Sequence, residues 1–153
     1  ALQTPFLYWP QEPMEYLRSI LGKRVDNLIP LKSMLDAGIQ IAGGSDGPCT
    51  LPDPLRGIFA ACNHPNVNES VSVLDALRMH TSNCAKLSFD ELTRGTLTDG
   101  KRADFVVLND NPLQIPVEKL DTLNVEAVYF KGEEYRGQKG TAALMIDAIR
   151  NQP

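Results

Sequence analysis

The sequence predicts an α/β fold, and three observations lead to that prediction. Amphipathic helical patterns and a short β-prone run alternate in the first half of the chain. The β-prone run ends abruptly in the turn-forming sequence Gly43-Gly44-Ser45-Asp46-Gly47-Pro48. After residue 95 the pattern changes to β-prone segments without helices between them, which is typical of a small antiparallel layer.

Two helices are predicted before residue 39. Apolar residues recur on one face of residues 13–21, as in an amphipathic helix. A second helix is expected between Pro30, at its start, and Gly38, just past its end, because proline favours helix starts and glycine favours the position after a helix. Residues 39–42 are then predicted to form a short strand.

Residues 53–90 are predicted to be helical. Asp53 is expected to cap the first of these helices, with Pro54 at its first position. Ser72 and Asp75 resemble a capping box, and the amphipathic pattern that follows predicts one helix to about Leu87.

The predicted β layer occupies residues 95–136. Residues 103–108 and 125–130 have strand character, and a last short strand is expected after Gly132. So few strands do not form a stable sheet alone, so they are expected to need partners. Residues 140–150 are predicted to form a final helix.

Composition and charge exclude several classes of protein. The 153 residues are 42% hydrophobic and 22% charged, which is typical of a globular domain with a real core. The net charge of −4 and the lack of a basic block argue against nucleic-acid and membrane partners. No apolar run approaches the roughly 20 residues of a membrane span, and the first residues do not resemble a signal peptide. Three widely spaced cysteines without a C-x-x-C pair favour a reducing, cytoplasmic compartment.

Asp46 is the candidate functional residue. In α/β folds the chemistry lies at the carboxyl ends of strands, where a carboxylate can bind a metal or move a proton. The alternative is that Asp46 only caps the following turn through its side-chain oxygens. The local pattern alone leaves both interpretations open and favours the second.

Three motifs, in the correct order along the chain, resemble those of the amidohydrolase superfamily of metal-dependent hydrolases. The first is Gly44-Ser45-Asp46 with Pro48, which is similar to the end of the eighth barrel strand. The second is Ala76-Leu77, Thr81 and Ala85 on the following helix, and the third runs from Gly95-Thr96-Leu97 through Gly100-Lys101 to Ala103-Asp104. The closest branch resembles N-substituted formamide deformylases and D-aminoacylases, where Gln3 and Pro5 are similar to the end of the seventh strand and Arg24 to a common arginine.

This resemblance implies the C-terminal part of a TIM-like (β/α)8 barrel followed by strands of a small β-sandwich. It implies the last strand-helix units of the barrel at 1–92, sandwich strands at 93–136, and a tail or helix at 137–153. A full barrel needs roughly 250 residues, so the chain is expected to be a fragment that needs the rest of its parent barrel.

The resemblance also implies a mechanism. In this superfamily one or two divalent metals, here expected to be zinc, activate a water that attacks the carbonyl carbon of a C–N bond. Asp46 would pass the water's proton to the leaving nitrogen and would also ligate the metal. The other ligands of the superfamily, an H-x-H pair, a mid-barrel bridging residue and two further histidines, are not among the two histidines of this chain.

Other candidate residues are expected to be structural. His64 is predicted to lie on the surface near a helix end, and His80 to pack on its helix or to donate one hydrogen bond. Cys49 could line the pocket near Asp46, but a small buried thiol is favoured. The sequence from Gly95 to Lys101 imitates a phosphate-binding loop, but Arg102 and a predicted strand follow where a Ser or Thr and a helix are required.

Three hypotheses about function follow. The first is hydrolysis of a non-peptide C–N bond in a small molecule, which would be an amide, an N-acyl compound, a formamide or a cyclic imide. The alternative is a catalytically inactive regulatory or scaffold member of the same fold. A third is a self-standing α/β binding module, against which the incomplete β layer argues. A homo-oligomer is also expected.

Overall fold

The computed structural model of the chain describes residues 1–136. The helix predicted at residues 140–150 and the tail at 137–153 lie outside the described residues. The α-helices are α1 (Met14–Leu21), α2 (Leu31–Asp36), α3 (Pro54–Cys62), α4 (Val73–Met79) and α5 (Ser82–Leu87). The strands are β1 (Phe105–Leu108), β2 (Val125–Phe130) and β3 (Glu133–Glu134). Short 3-10 turns lie at Thr4–Tyr8, Gly22–Asn27, Val67–Glu69 and Val117–Thr122.

The predicted helix caps are confirmed. The carboxylate of Asp53 accepts a hydrogen bond from the backbone N–H of Leu55 at 3.0 Å, which satisfies a donor at the start of α3. The Ser72 hydroxyl accepts from the N–H of Asp75 at 3.1 Å and lies 2.6 Å from its carboxylate. Gly38 has φ of 78° just past α2, a conformation that favours glycine.

The predicted strand at residues 39–42 is not formed. The chain is paired there through a single parallel bridge between Leu2 and Gly43. Leu2 donates to the carbonyl of Ala42 at 2.8 Å, and its own carbonyl accepts from Gly44 at 3.0 Å. A strand requires a ladder of several such pairs, and within residues 1–136 only Leu2 provides one.

The single helix predicted from Ser72 to Leu87 is also wrong, because it is two helices that meet at His80 and Thr81. The carbonyl of Met79 accepts a hydrogen bond from the backbone N–H of Gly43 at 2.8 Å. Thr81, with φ of −129° and ψ of −96°, is not helical. The break therefore lies where a contact with the Gly43 segment uses a carbonyl from the end of α4.

The hydrophobic core lies between α2, α3 and α4 and extends to the turn that precedes β2. Its fully buried members include Leu31, Ala76 and Met79. Leu120 and Leu123, from that turn, are buried in the same cluster. Packing of this turn against α3 connects the helices to the sheet. The domain boundary predicted between residues 92 and 93 stays a prediction.

The predicted antiparallel layer is confirmed as a three-stranded sheet in the order β1-β2-β3. Phe105 lies opposite Tyr129, and their rings stack with centroids 4.5 Å apart. Val106, Val128 and Phe130 remain exposed in the described part of the chain. No helix within residues 1–136 is long and apolar enough to cross a membrane.

Asp104, in the third motif, connects the sheet to the chain that precedes it. Its carboxylate accepts from the backbone N–H of Lys131 at 2.9 Å, in the turn between β2 and β3. Its other oxygen lies 2.9 Å from the guanidinium of Arg102, which also lies over the ring of Phe130. An aspartate after the Gly100-Lys101 turn thus holds the hairpin turn through a charge-assisted bond.

Candidate functional site

The candidate site lies at the end of the parallel bridge between Leu2 and Gly43. Because paired parallel segments run in the same direction, the loops that follow them leave from one edge. Residues 3–11 form the first loop, and residues 44–53 form the second, which contains Asp46. This edge matches the place where the sequence analysis expects the chemistry.

Asp46 is exposed, and its backbone φ is 56°, in the left-handed region. Its carboxylate accepts no hydrogen bond from residues 1–136. The turn after it is held instead by two backbone carbonyls. That of Asp46 accepts from the N–H of Cys49 at 2.9 Å, and that of Ser45 accepts from the hydroxyl of Thr50. The Asp46 side chain therefore does not cap the turn within residues 1–136.

His80 lies directly beneath this loop. Its ring fits between two glycines, since a Cβ on Gly43 would lie 2.4 Å from Nε2 and one on Gly57 would lie 2.7 Å from it. The ring packs, as predicted, but Nε2 is buried and has no hydrogen-bond partner in the described residues. Burial lowers the pKa of His80, and the negative charge of Asp53 partly opposes that shift. His80 therefore favours the neutral imidazole.

A cavity of about 280 Å³ opens above this imidazole. It is lined by Gly43, Gly44, Ser45, Asp53, His80 and Cys84. The thiol of Cys84 donates to the carbonyl of Met79 at 3.0 Å, so it is engaged within the fold. The imidazole of His80 and the first residues of the Asp46 loop line the same cavity, but Asp46 itself does not line it.

His64 is buried, with 5% of its surface exposed, so the prediction of a surface histidine is wrong. Its Nδ1 accepts from the N–H of Asn66 at 2.9 Å, and its Nε2 lies 3.1 Å from the carbonyl of Leu28. Both ring nitrogens are therefore engaged with backbone groups. His64 connects two loops and has no free ligand atom.

Glu69 is a buried carboxylate that the sequence analysis missed. It accepts from the backbone N–H of Ser33 at 2.9 Å and from the Ser33 hydroxyl. Pro30, at the start of α2, has no side chain that could cap it, and Glu69 provides the missing acceptor from 36 residues away. The bonds from Ser33 hold the pKa of Glu69 below its usual value. No local sequence pattern predicts this pair, because Ser33 and Glu69 are 36 residues apart and belong to different elements.

The three cysteines differ in exposure, and none forms a disulfide. Cys49 is exposed, so the prediction of a buried thiol is wrong. Its turn is held by its backbone, which leaves the side chain outside. Cys62 is buried in the core, and burial together with the charge of Asp75 raises the pKa of its thiol to about 11.

Two clefts meet at Arg56, in the first turn of α3. One, of about 210 Å³, is lined by Tyr8, Trp9 and Gln11 of the first loop and by Cys49 and Thr50 of the second. We call it the Arg56 cleft. The other, of about 260 Å³, contains Asp53 and Asp121 and is closed by Leu55, Phe59 and Leu123.

A larger cavity, of about 740 Å³, lies between α5 and the sheet and shares His80 and Cys84 with the cavity of about 280 Å³. Its lining is mostly apolar and includes Ala85, Leu97, Phe105 and Val106. The exposure of Leu97 and Val106 shows that it is an open groove between two layers. It contains no part of the Asp46 loop.

Metal-ligating side chains do not cluster in the described residues, where no three His, Cys, Asp or Glu side chains converge. Asp46 presents carboxylate oxygens without an internal partner and so fits the role of one ligand. The loop at Gly95 is not a phosphate site, because Lys101 donates its Nζ to the carbonyl of Glu91 and β1 follows. Arg24 donates to the carbonyl of Leu21 at 3.4 Å and makes no hydrogen bond or ion pair with Asp46.

Comparisons with known proteins agree with the motifs. A family model described as the amidohydrolase family matches residues 1–135. The protein named amidohydrolase YtcJ of Bacillus subtilis (strain 168) is 34% identical over 124 residues, which are 74% of this chain and 23% of that protein. The N-substituted formamide deformylase of Arthrobacter pascens is 31% identical over 134 residues, 83% of this chain and 23% of that protein.

A solved structure gives the same result. An amidohydrolase from Thermotoga maritima MSB8 superposes with a TM-score of 0.53 and 27% identity, over 71% of this chain and 26% of that one. The chain thus spans about a quarter of the length of the relatives it matches. The match covers both loops, the Asp46 turn and the three-stranded sheet, and the chain belongs to the amidohydrolase family.

Proposed function

We propose that the chain is the C-terminal segment of a metal-dependent hydrolase that acts on non-peptide C–N bonds of small molecules. The bond class comprises amides, N-acyl compounds, formamides and cyclic imides. The observation that carries the proposal is the carboxylate of Asp46. It is exposed at the end of a parallel-paired segment, in the motif position of the family, without an internal hydrogen bond in residues 1–136.

The architecture proposed for the parent is a TIM-like barrel followed by a small sandwich. The parallel bridge of Leu2 with Gly43 supports it, because neighbouring strands of such a barrel are parallel. A helix-containing segment of 40 residues joins the two, as a β-to-β crossover requires. The three antiparallel strands that follow support the sandwich.

The backbone at Asp46 supports a functional role for its side chain. A non-glycine residue in the left-handed region costs about 1 kcal/mol relative to glycine, although aspartate tolerates it better than most. The carboxylate recovers none of that cost through hydrogen bonds within the described chain. A residue that is unfavourable for folding at an exposed loop is typical of a site where function selects the side chain.

Asp46 is the residue that moves the proton. Its carboxylate accepts a proton from the attacking water and donates it to the nitrogen that leaves, so that the amine departs neutral. A carboxylate suits both transfers when it is ionised before attack and is not fixed by internal donors. The divalent metal, when bound, supplies the lowered pKa of the water, from about 15.7 to near 7 for zinc.

Asp46 is also proposed as one oxygen ligand of that metal, expected to be one or two zinc ions. The remaining ligands would come from the part of the parent outside this chain. His64 has both nitrogens occupied, and the unpartnered nitrogen of His80 faces two glycines. The three free thiols support a reducing, cytoplasmic setting for the enzyme.

The test is hydrolysis by the full-length protein in which Asp46 is replaced by asparagine, an isosteric side chain that cannot accept the proton. We expect kcat to fall by about 100-fold to 10,000-fold, the contribution typical of a positioned acid or base. Asp99→Asn is the matched control, because Asp99 is also exposed and its carboxylate has no hydrogen-bond partner within residues 1–136. Its activity is expected to equal that of the wild type.

Zinc content and hydrolysis of amides, formamides and N-acyl compounds by the wild type are measured beside the variants. A protein that binds no divalent metal and hydrolyses none of these compounds would contradict the proposal and favour the regulatory or scaffold alternative. An Asp46→Asn variant with wild-type kcat would remove Asp46 from the mechanism while leaving the hydrolase intact.

A further inference from the structure

The segment that leads into the Asp46 loop packs against the ring of His80, at the junction of α4 and α5. The backbone N–H of Gly43 donates to the carbonyl of Met79 at 2.8 Å. The α-carbon of Gly43 lies against the ring, because a Cβ there would be 2.4 Å from Nε2. Asp46 follows Gly43 by three residues, so the position of the ring determines where its loop begins.

The same ring also packs against α3. A Cβ on Gly57 would be 2.7 Å from Nε2 and 3.3 Å from the hydroxyl oxygen of Thr4. Thr4 is fully buried, and its hydroxyl donates to the carbonyl of Gly57 at 2.8 Å, which connects the first loop to the same place. The ring of His80 therefore separates the Gly43 segment from α3, and it occupies space that only glycines leave free.

Neither of these contacts is a hydrogen bond. The Nε2 atom of His80 is buried and has no partner in the described residues. A neutral imidazole can leave one nitrogen without a proton, whereas an imidazolium has an N–H on each nitrogen. A buried charge and a buried N–H without an acceptor both cost free energy. The packed position therefore suits the neutral ring and not the protonated one.

The charged groups that face the ring do not offset this cost. Burial lowers the pKa of His80, and the carboxylate of Asp53, from α3, opposes only part of that shift. From α5, the thiol of Cys84 lines both cavities that the ring touches. On the side of the sheet, Arg94 and Asp104 line the larger cavity, and each is paired with another residue. The Gly43 segment and the first loop present no titratable side chain there: Gly43, Gly44, Ser45 and Thr4.

We propose that neutral His80 is a positioning residue for Asp46, and that its protonation moves the Gly43 segment away from the ring. The effect on hydrolysis rests on the proposed function. In the open form water solvates the imidazolium, while the bond from Gly43 to Met79 is broken and the Asp46 loop loses its support. The open form binds the proton with a pKa near 6.5, and the packed form binds it more weakly. Opening therefore becomes more favourable as pH falls below about 6.5.

The experiment measures amide hydrogen exchange in the full-length protein at pH values on both sides of 6.5. Each rate is divided into the rate of an unstructured peptide at the same pH. We expect this protection at Gly43 and Gly44 to fall by up to about tenfold for each pH unit below about 6.5. Amides in β1 and β2 report opening of the whole molecule and are expected to exchange more slowly.

His80→Phe is the matched variant, because it keeps a ring that cannot be protonated. We expect it to show the same protection at Gly43 at every pH, and to move the acid limb of kcat/KM to lower pH. His80→Gln, which does not titrate and has no ring, keeps the test decisive where the larger phenylalanine does not fit between the glycines.

Three results would overturn the inference. The first is a wild type whose protection at Gly43 does not change with pH. The second is exchange at Gly43 no faster than in β1 and β2, and the third is a fall that the non-titrating variants retain.

Hydrolysis separates the inference from the proposed function. If Gly43 opens in acid only when His80 is present but no compound is hydrolysed, the positioning of the loop stands and the hydrolase proposal fails. If wild type and His80→Phe hydrolyse a substrate with the same acid limb, the hydrolase stands and the inference fails.

Discussion

Two polar loops of this chain differ in whether the carboxylate that each contains is hydrogen-bonded. In residues 64–70, which follow α3, His64, Asn66 and Glu69 are all bonded to other parts of the fold. In residues 43–50, backbone groups hold the turn, and the carboxylate of Asp46 has no partner in the described chain. The first loop uses its polar groups for stability, whereas the second leaves its acid available. An acid without an internal partner is what the role proposed for Asp46 requires.

The largest effect on stability is expected where Gly43 packs against the ring of His80. Gly43→Ala would place a Cβ 2.4 Å from the His80 ring, which is held by Gly57 on its other side. We expect the free energy of unfolding to fall by about 3 kcal/mol, as in overpacked cores. In a His80→Ala background the same change is expected to cost less than about 1 kcal/mol. Chemical denaturation of the four proteins measures the difference, and equal costs in both backgrounds would rule out the clash.

The next effect concerns Glu69. Glu69→Gln replaces a charged acceptor of two bonds from Ser33, and we expect it to lower the free energy of unfolding by about 2 kcal/mol. Glu12→Gln, at an exposed position, is the matched control and is expected to change little. A double-mutant cycle with Ser33→Ala isolates the bond from the Ser33 hydroxyl, because the backbone N–H of residue 33 remains. Additive effects in that cycle would show that the hydroxyl bond does not contribute to stability.

The two regions should also respond to acid in different pH windows. The pKa of His80 is lowered by burial, so the unfolded chain binds its proton first, and stability is lost as pH falls below about 6.5. The pKa of Glu69 is lowered by its bonds from Ser33, so its contribution is present above about 4.5 and is lost as pH falls toward the folded pKa. Unfolding at a series of pH values is the measurement. His80→Phe should remove the upper window alone, and Glu69→Gln the lower.

The smallest effect has the opposite sign. Asp46→Gly relieves a positive φ and removes no hydrogen bond, so we expect the free energy of unfolding to stay the same or to rise by up to about 1 kcal/mol. Hydrolysis by the parent should be lost in the same variant, as in a stability–activity trade-off. A loss of more than about 1 kcal/mol would show that Asp46 stabilises the loop and would weaken the contrast with Glu69.

The sequence predicted those features that depend on neighbouring residues. Asp53 and Ser72 cap their helices because the acceptor and the donors lie within three residues, and the strand at residues 125–130 follows from local β character. Asp46 was singled out from its neighbouring glycines and its motif, which are local, and its role stays a prediction. The family followed from three motifs in order and needed no tertiary information.

What the sequence did not predict depends on contacts between distant residues. The break after Met79 coincides with a bond from Gly43, and the cap on α2 comes from Glu69. His64 looks like a surface residue at a helix end until Leu28, 36 residues earlier, provides a carbonyl for its ring. None of these separations leaves a period or a spacing that a linear pattern can reveal.

The unequal exposure of the three thiols makes the chain suitable for site-selective labelling. A fluorophore attached through alkylation should react with Cys49, since Cys62 is buried with a pKa of about 11 and Cys84 is bonded to Met79. The dye would lie in the wall of the Arg56 cleft, a few residues from Asp46. Its emission would then report occupancy of that cleft directly, so that compounds can be screened before any turnover assay exists.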